Sequence, residues 1–324
     1  MQLYHHPLDL DSQRVRFALE EEGVDYTSHH VNPITGKNLD SSFFKMNRHG
    51  RVPVFQNGSH IIYNTIDIIQ ESKNLDIAAE IAVVDPCFEN LIIEWYIERI
   101  AVVSSGAESI SASSREVIEW MQKIQDWDPK IFTLSHIPEK YRLYVSKFIR
   151  QVAIARMSES PELASDYHRK LKEAYETEEK LKEADVLRRS KDHLVRLLDE
   201  VERQLSETPH LAGQEFTMAD VMLVPVLARL ELLDLENEYI IGRPNIAEYW
   251  ILVQQRLSYK KVIGMVVMLG AGKRWVNFFG FYAGEGMLVK VARLQKILWL
   301  SIETIHALQS SSIKRIKERI VCSY

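Results

Sequence analysis

Cysteine is nearly absent from this sequence. Cys87 and Cys322 are the only two in 324 residues, too few for a disulfide framework or a zinc cluster, so a reducing compartment is expected. A secretory leader is missing as well: behind Met1-Gln2-Leu3-Tyr4 there is no basic region followed by an apolar run, which predicts a cytoplasmic address. No internal repeat marks a solenoid or an array. Residues 1 to 264 hold no basic patch with interleaved aromatics, which argues against nucleic acid as a partner. The adjacent pairs His5-His6 and His29-His30 fall on predicted strands, where neighbouring side chains point to opposite faces, so no metal site is expected. The run GAGKRW lacks the spacing and the Ser or Thr of a phosphate-binding loop.

What is present reads as a globular chain. With 46% hydrophobic and 26% charged residues, its length suits two domains and a substantial core. Residues 2 to 5 form a short strand pattern. Val15, Ala18 and Leu19 then recur at helical spacing, with Gly23 where a C-cap belongs. Tyr26 to Val31 reads as a second strand, GKNLDSSFFKMN as a turn and short helix, RVPVFQNG as a third strand reaching a turn at Asn57-Gly58, and HIIYN as a fourth. The order β-α-β-α-β-β-α predicts a small α/β domain with a mixed sheet.

From about Glu94 to Ile263 the pattern is helical. DYHRKLKEAYETEEKLKEADVLRRS sets opposite charges one turn apart, the pattern of a solvated helix face. In FTMADVMLVPVLARL, Thr217 and Asp220 are spaced as a capping box with Asp for the usual Glu, and Phe216 with Val221 as its apolar staple.

Three places suit ligand chemistry. Ser12 stands in the first turn of a helix after PLDLD, where the helix dipole favours anions, although Ser12 or Asp11 as a plain cap explains the position too. In GRVPVF, Pro53 fits the first residue of a strand, and a cis bond before it would turn the Val52 backbone outward to pair with a peptide-like ligand. In YNTIDII, Asn64 and Thr65 stand at a helix N-terminus, as carboxylate ligands or as caps.

Taken together, LYHHPLDLDSQRVRFALEEEGVDY, NRHGRVPVF, NTIDII and LAGQEFTMADVMLVPVLARL resemble a glutathione transferase. HHVNPITGKNLD and FTLSHIPEKYRLYVSKFIRQVAIARM are similar to the plant class named after tetrachlorohydroquinone dehalogenase. The resemblance implies a thioredoxin-like N-terminal domain over 1–85, with an atypical insertion at about 70–94, and an all-helical domain over 95–264 for a hydrophobic electrophile. It further implies glutathione as co-substrate without a metal, a homodimer, and a detoxification or stress-response role. Val52 would pair its backbone with the cysteinyl part of glutathione, with Pro53 the cis-proline. Thr65 and Asn64 would hold the γ-glutamyl carboxylate, and Arg51 and Asn38 would lie near the glycyl end.

The opening loop departs from that pattern. Counting back three residues from SQRV, the catalytic hydroxyl position falls on Asp9. An ionised carboxylate has no proton to donate and repels a thiolate. Two readings stand open: Ser12 takes over activation of the thiol, or the protein is a weak or inactive binder of glutathione conjugates or hydrophobic ligands. The loop's lack of cysteine counts against relatives that work through a mixed disulfide. The segment from Met265 onward is also atypical: nine basic against three acidic residues, in a chain whose net charge is −5. Its amphipathic run MLVKVARLQKILWLSIETIHALQ suits a membrane surface, a helix packed on the core, or a loose extension, and its apolar runs are too short to span a bilayer.

Overall fold

Alternating side chains make the first strand. In β1, Gln2–His5, Leu3 and His5 are buried and Gln2 is exposed. The computed structural model describes residues 1–72, 112–137 and 139–264, and these belong to one compact unit spanning Met1–Val267. The insertion expected at 70–94, the tail from 265 and both cysteines lie outside the described residues apart from residues 70–72.

Helix α1, Leu10–Glu21, begins where the Asp9 carboxylate accepts the Ser12 N–H. It ends at Gly23, whose φ of 66° lets Val24 N donate back to Leu19 O at 2.9 Å and close a Schellman turn. Strand β2, Thr27–His30, is shorter than the sequence pattern. After α2, Ser41–Met46, come β3, Val54–Asn57, and β4, His60–Ile62. The sheet order is β2-β1-β3-β4, with β1 parallel to β2 and the other pairs antiparallel, so the sheet is mixed as expected. Asn57 pairs with His60. The tight loop is therefore Gly58-Ser59, one residue beyond the expected turn.

Residues 65–72 form α3. The helical half then comprises α4, Ala112–Asp126; α5, Pro129–Ser135; α6, Glu139–Glu159; α7, Ala164–Lys180; α8, Ala184–Glu207; α9, Met218–Leu232; α10, Glu236–Tyr239; and α11, Pro244–Val253. All but three of the 15 residues of α9 are buried, which makes it the central post of the core. The capping box forms as the sequence predicts: Thr217 caps α9, and Asp220 reaches back to the Thr217 N–H at 2.8 Å. One apolar cluster joins Leu3, Phe17 and Phe55 of the sheet half to Trp120, Leu198 and Leu223 of the helical half.

The charged stretch keeps the solvated face expected of it, with only Asp166 and Tyr167 of α7 buried, and docks through a narrow strip. The α6–α7 hairpin packs on residues 36–50, with Leu39, Phe44, Ala153, Leu163 and Tyr167 in a second core cluster. Phe44 and Tyr167 stack with ring centroids 4.4 Å apart, and the Tyr167 hydroxyl donates to Leu39 O at 2.9 Å. Around this centre, Arg156 pairs with Asp40, Arg48 with Asp166, and Arg169 donates to Arg48 O.

The fit is tight at Gly50, where φ is 56° and an added Cβ would stand 2.8 Å from the Phe44 ring and 3.2 Å from Lys170 Cε. Gly58, at φ 58°, has nothing within 4 Å of the same position. Gly58→Ala is expected to lose about 1 kcal/mol for left-handed backbone alone, and Gly50→Ala about 3 kcal/mol once the clash is added. Urea unfolding of the two variants measures the difference, and equal losses would refute the close packing of Phe44 and Lys170 on Gly50.

Candidate functional site

The opening loop, His6-Pro7-Leu8-Asp9, is held along its whole backbone. Asp9 N donates to His6 O at 3.0 Å, Gln13 Nε2 to Pro7 O at 2.8 Å, and Arg229 Nη2, from α9, to Leu8 O. Ser12 supplies another tie: its hydroxyl accepts the His6 N–H at 3.3 Å. The residue is fully buried, with 0% exposure. Its hydroxyl thus sits inside the fold rather than open at the loop's surface.

Asp9 is the half-buried residue of this loop that carries charge. Oδ2 accepts Ser12 N at 2.7 Å. Burial pushes the carboxyl up to about 6, and the neighbouring Asp11 carboxylate adds to the rise. The Ser12 hydrogen bonds and the Arg229 guanidinium pull the other way without cancelling it. Sequence reasoning missed Arg229. The available signal was a lone cation in the otherwise apolar run MLVPVLARL.

Beyond the loop, the Val52–Pro53 peptide is cis. Two asparagines set the approach to it: Asn38 Nδ2 donates to Gly50 O at 2.7 Å and Asn47 Nδ2 to Arg51 O at 2.9 Å. Arg51 is exposed, while Val52 and Pro53 are buried. At the start of α3 the capping falls to Asn64, whose Oδ1 accepts Ile66 N at 2.9 Å and Asp67 N at 3.2 Å. Thr65, the alternative cap, is the first helical residue and is buried. Asn38, Arg51, Val52 and Pro53 therefore lie within one tied segment, and Asn64 and Thr65 stand together at a helix N-terminus.

His5 ends β1 and is buried, while His6, the first residue past the strand, is half-buried. The parallel register sets His5 beside His30, with rings 4.8 Å apart, and His5 Nε2 meets Ser28 Oγ at 2.6 Å. Burial, helped by Arg16, pushes His5 down to about 3, so the ring is neutral. Among the described residues no group of three or more His, Cys, Asp or Glu is placed to hold a metal. A cavity of about 550 Å³ opens between α3, α4 and the loop before α9, lined by Ile69, Val117, Met121, Gln214 and Met218. It shares no lining residue with the opening loop or with residues 51–53.

Comparison with known proteins covers both halves. Residues 1–70 match the family model described as "Glutathione S-transferase, N-terminal domain", and residues 184–249 match "Glutathione S-transferase, C-terminal domain". The chain is 62% identical over 264 residues to "Glutathione S-transferase TCHQD" of Arabidopsis thaliana, a match covering 82% of this chain and 90% of that one. It is 24% identical over 261 residues to the "Tetrachloro-P-hydroquinone reductive dehalogenase" of Sphingobium chlorophenolicum, covering 80% and 93% of the two chains. Among solved structures, poplar glutathione transferase F1 aligns with a TM-score of 0.52 at 17% identity, over 82% of this chain and 96% of that one. That likeness speaks for the fold: a thioredoxin-like sheet domain followed by a helical domain. On the strength of the long match at 62% identity, the chain belongs to the glutathione S-transferase family, on the branch related to tetrachlorohydroquinone dehalogenase.

Proposed function

We propose that this protein is a cytoplasmic glutathione transferase that uses the glutathione thiolate to conjugate or dehalogenate small hydrophobic electrophiles, in a detoxification or stress role. The observation that carries this reading is the 62% identity to a protein named a glutathione S-transferase, across 90% of that protein. In the proposed arrangement the Val52 backbone, ahead of cis Pro53, pairs with the cysteinyl unit. Asn64 and Thr65 take the γ-glutamyl carboxylate at the N-terminus of α3, and Asn38 and Arg51 lie at the glycyl end. A homodimer is part of the same reading. The membrane surface proposed for the tail concerns residues outside the described ones.

Thiol activation is where the site's own chemistry matters. For Ser12 to stabilise the sulfur, its O–H proton would have to leave the Asp9 carboxylate, with which the Ser12 side chain is hydrogen-bonded. Asp9 is better placed on the loop, and its charge sets the rate. Above a pH of about 6 it is ionised and opposes a thiolate. Below that it is a neutral acid that can donate a hydrogen bond. The burial of Ser12 favours the second reading, a weak catalyst that binds better than it turns over.

Conjugation of a chloronitroaromatic by the purified chain tests this. Asp9→Ser is expected to raise turnover at neutral pH about tenfold, since one unit of thiol pKa corresponds to about 1.4 kcal/mol and like charges at short range supply at least that. An Asp9→Ser variant no faster than the parent would remove residue 9 from the neighbourhood of the sulfur. Absence of glutathione binding in both proteins would overturn the transferase reading.

A further inference from the structure

Helix α9 holds a single cation in an otherwise apolar run, and that cation is turned to the opening loop. Arg229 Nη2 donates to Leu8 O, and Nη1 to Thr133 Oγ1 of α5 at 3.5 Å. Both acceptors are neutral. Among the described residues no carboxylate is in contact with this guanidinium, although burial opposes its charge. A cation placed in that way is costly to hold unless an anion answers it.

The acidic groups of the loop do not answer it by contact. Asp11 is held by Arg14 at 2.8 Å, and Asp9 Oδ2 accepts the Ser12 N–H at 2.7 Å. Asp9, Asp11 and Arg14 are the charged groups that act on Arg229, and with it they sum to zero. His6, at the start of the loop, adds no charge near neutral pH, because burial and His30 lower its pKa. Of these cations, Arg229 is therefore the one not held in a contact ion pair, and its field remains open to a further anion. The reach is short. Neighbouring Cα atoms are about 3.8 Å apart, so a charge tied to Leu8 O stands within roughly one Debye length, about 10 Å, of any group that residue 9 touches. The Asp9 carboxyl already responds, since Arg229 favours its ionised form.

We propose that Arg229 is the positive counter-charge for the glutathione thiolate at the opening loop, a residue of the helical half that offsets Asp9 through its field and fixes the loop through Leu8 O. The inference rests on the glutathione reading above and adds a source of thiol activation that neither Ser12 nor Asp9 supplies. The thiol proton passes to water, and the guanidinium stabilises the anion left behind without itself giving up a proton.

The test follows the ultraviolet absorption of the bound thiolate across pH, in the full chain saturated with glutathione. Asp9→Asn is the background, because asparagine caps the loop as aspartate does and does not titrate. In it, Arg229→Gln, which keeps an N–H donor for Leu8 O and removes the charge, is expected to raise the thiol pKa by about one unit, an about tenfold loss of thiolate at neutral pH. Arg229→Met, which keeps only the stem, is expected to do the same. Arg229→Lys keeps the charge without the fork and is expected to recover most of that loss, with glutathione affinity nearly unchanged. An unchanged thiol pKa in the two neutral variants overturns the inference. So does an equal rise in all three, which would assign Arg229 to bracing the loop alone. Absence of glutathione binding in the parent overturns the glutathione reading, and the inference with it.

Discussion

Asp220→Ala is expected to lower the stability of the protein by about 4 kcal/mol, a large loss for one side chain. The carboxylate is fully buried and serves four donors. Oδ2 takes the Thr217 N–H at 2.8 Å and the Thr217 hydroxyl at 3.1 Å, while Oδ1 takes Leu211 N at 3.2 Å and the Tyr249 hydroxyl at 3.0 Å. Alanine removes half of the capping box, about 1 kcal/mol, and leaves Leu211 N and the Tyr249 hydroxyl dry and unpaired, at about 1 to 3 kcal/mol each. Tyr249 has no alternative as an anion, because burial and the Asp220 carboxylate hold its pKa well above the ordinary value. Asp220→Asn keeps the shape but turns an NH2 group toward donors, so it should fall between the parent and the alanine variant. The urea midpoint should drop at unchanged slope, and faster hydrogen exchange at Leu211 N should identify the loop before α9 as the part released. A loss below about 1 kcal/mol would mean that water replaces the carboxylate, contrary to its buried setting.

Arg14→Met is the second large effect, expected at about 3 kcal/mol, or a fall of about 5 °C in Tm for a chain of this size. Arg14 is 1% exposed. Its guanidinium donates to Asp11 at 2.8 Å within α1, to Gln125 Oε1 at 2.9 Å and Ile124 O at 3.4 Å on α4, and to Met222 O at 3.2 Å on α9. Burial lowers its pKa and Asp11 offsets part of that, so the charge is kept by its partners. Methionine preserves the stem and its packing. What is lost is the fork joining the sheet half to two helices of the other half, and lysine, with a single point of attachment, should restore little of it. Arg188→Met is the control, since Arg188 is 71% exposed and among the described residues pairs only with nearby Asp185, and it should change stability by less than about 0.5 kcal/mol. If Arg14→Met matched that control, the fork would be dispensable to the union of the halves.

Features encoded within a few neighbouring residues were legible from the sequence. The Gly23 turn, the mixed sheet and the Thr217 box each depend on local signals, and each formed as expected. Contacts between distant residues were not. The Glu and Lys spacing of α7 is the same for a helix in water and for one that docks through a narrow strip, and the partners of Tyr167 lie more than a hundred residues earlier. The burial of Ser12 had a readable trace: Ser12, Val15 and Leu19 fall at i, i+3 and i+7, on one stripe of α1 that faces the core. A hydroxyl on such a stripe looks like a catalytic candidate only while its neighbours on the helix are ignored. Nor could the identity of residue 9 announce that Arg229 would be its neighbour, since α9 reaches the loop only through the tertiary fold.

The bracing of the opening loop bears on how this site can evolve. Its course is fixed by backbone groups tied to Gln13, Arg229 and Ser12, and the one structural demand on the residue 9 side chain is to accept the Ser12 N–H. Serine, aspartate and asparagine meet that demand almost equally well at a helix N-cap. A few point mutations therefore move position 9 between a hydroxyl, a carboxylate and an amide while the loop keeps its shape. Folding is indifferent to a choice on which thiol chemistry depends, so reactivity here can be lost or regained by substitutions that selection for stability does not see.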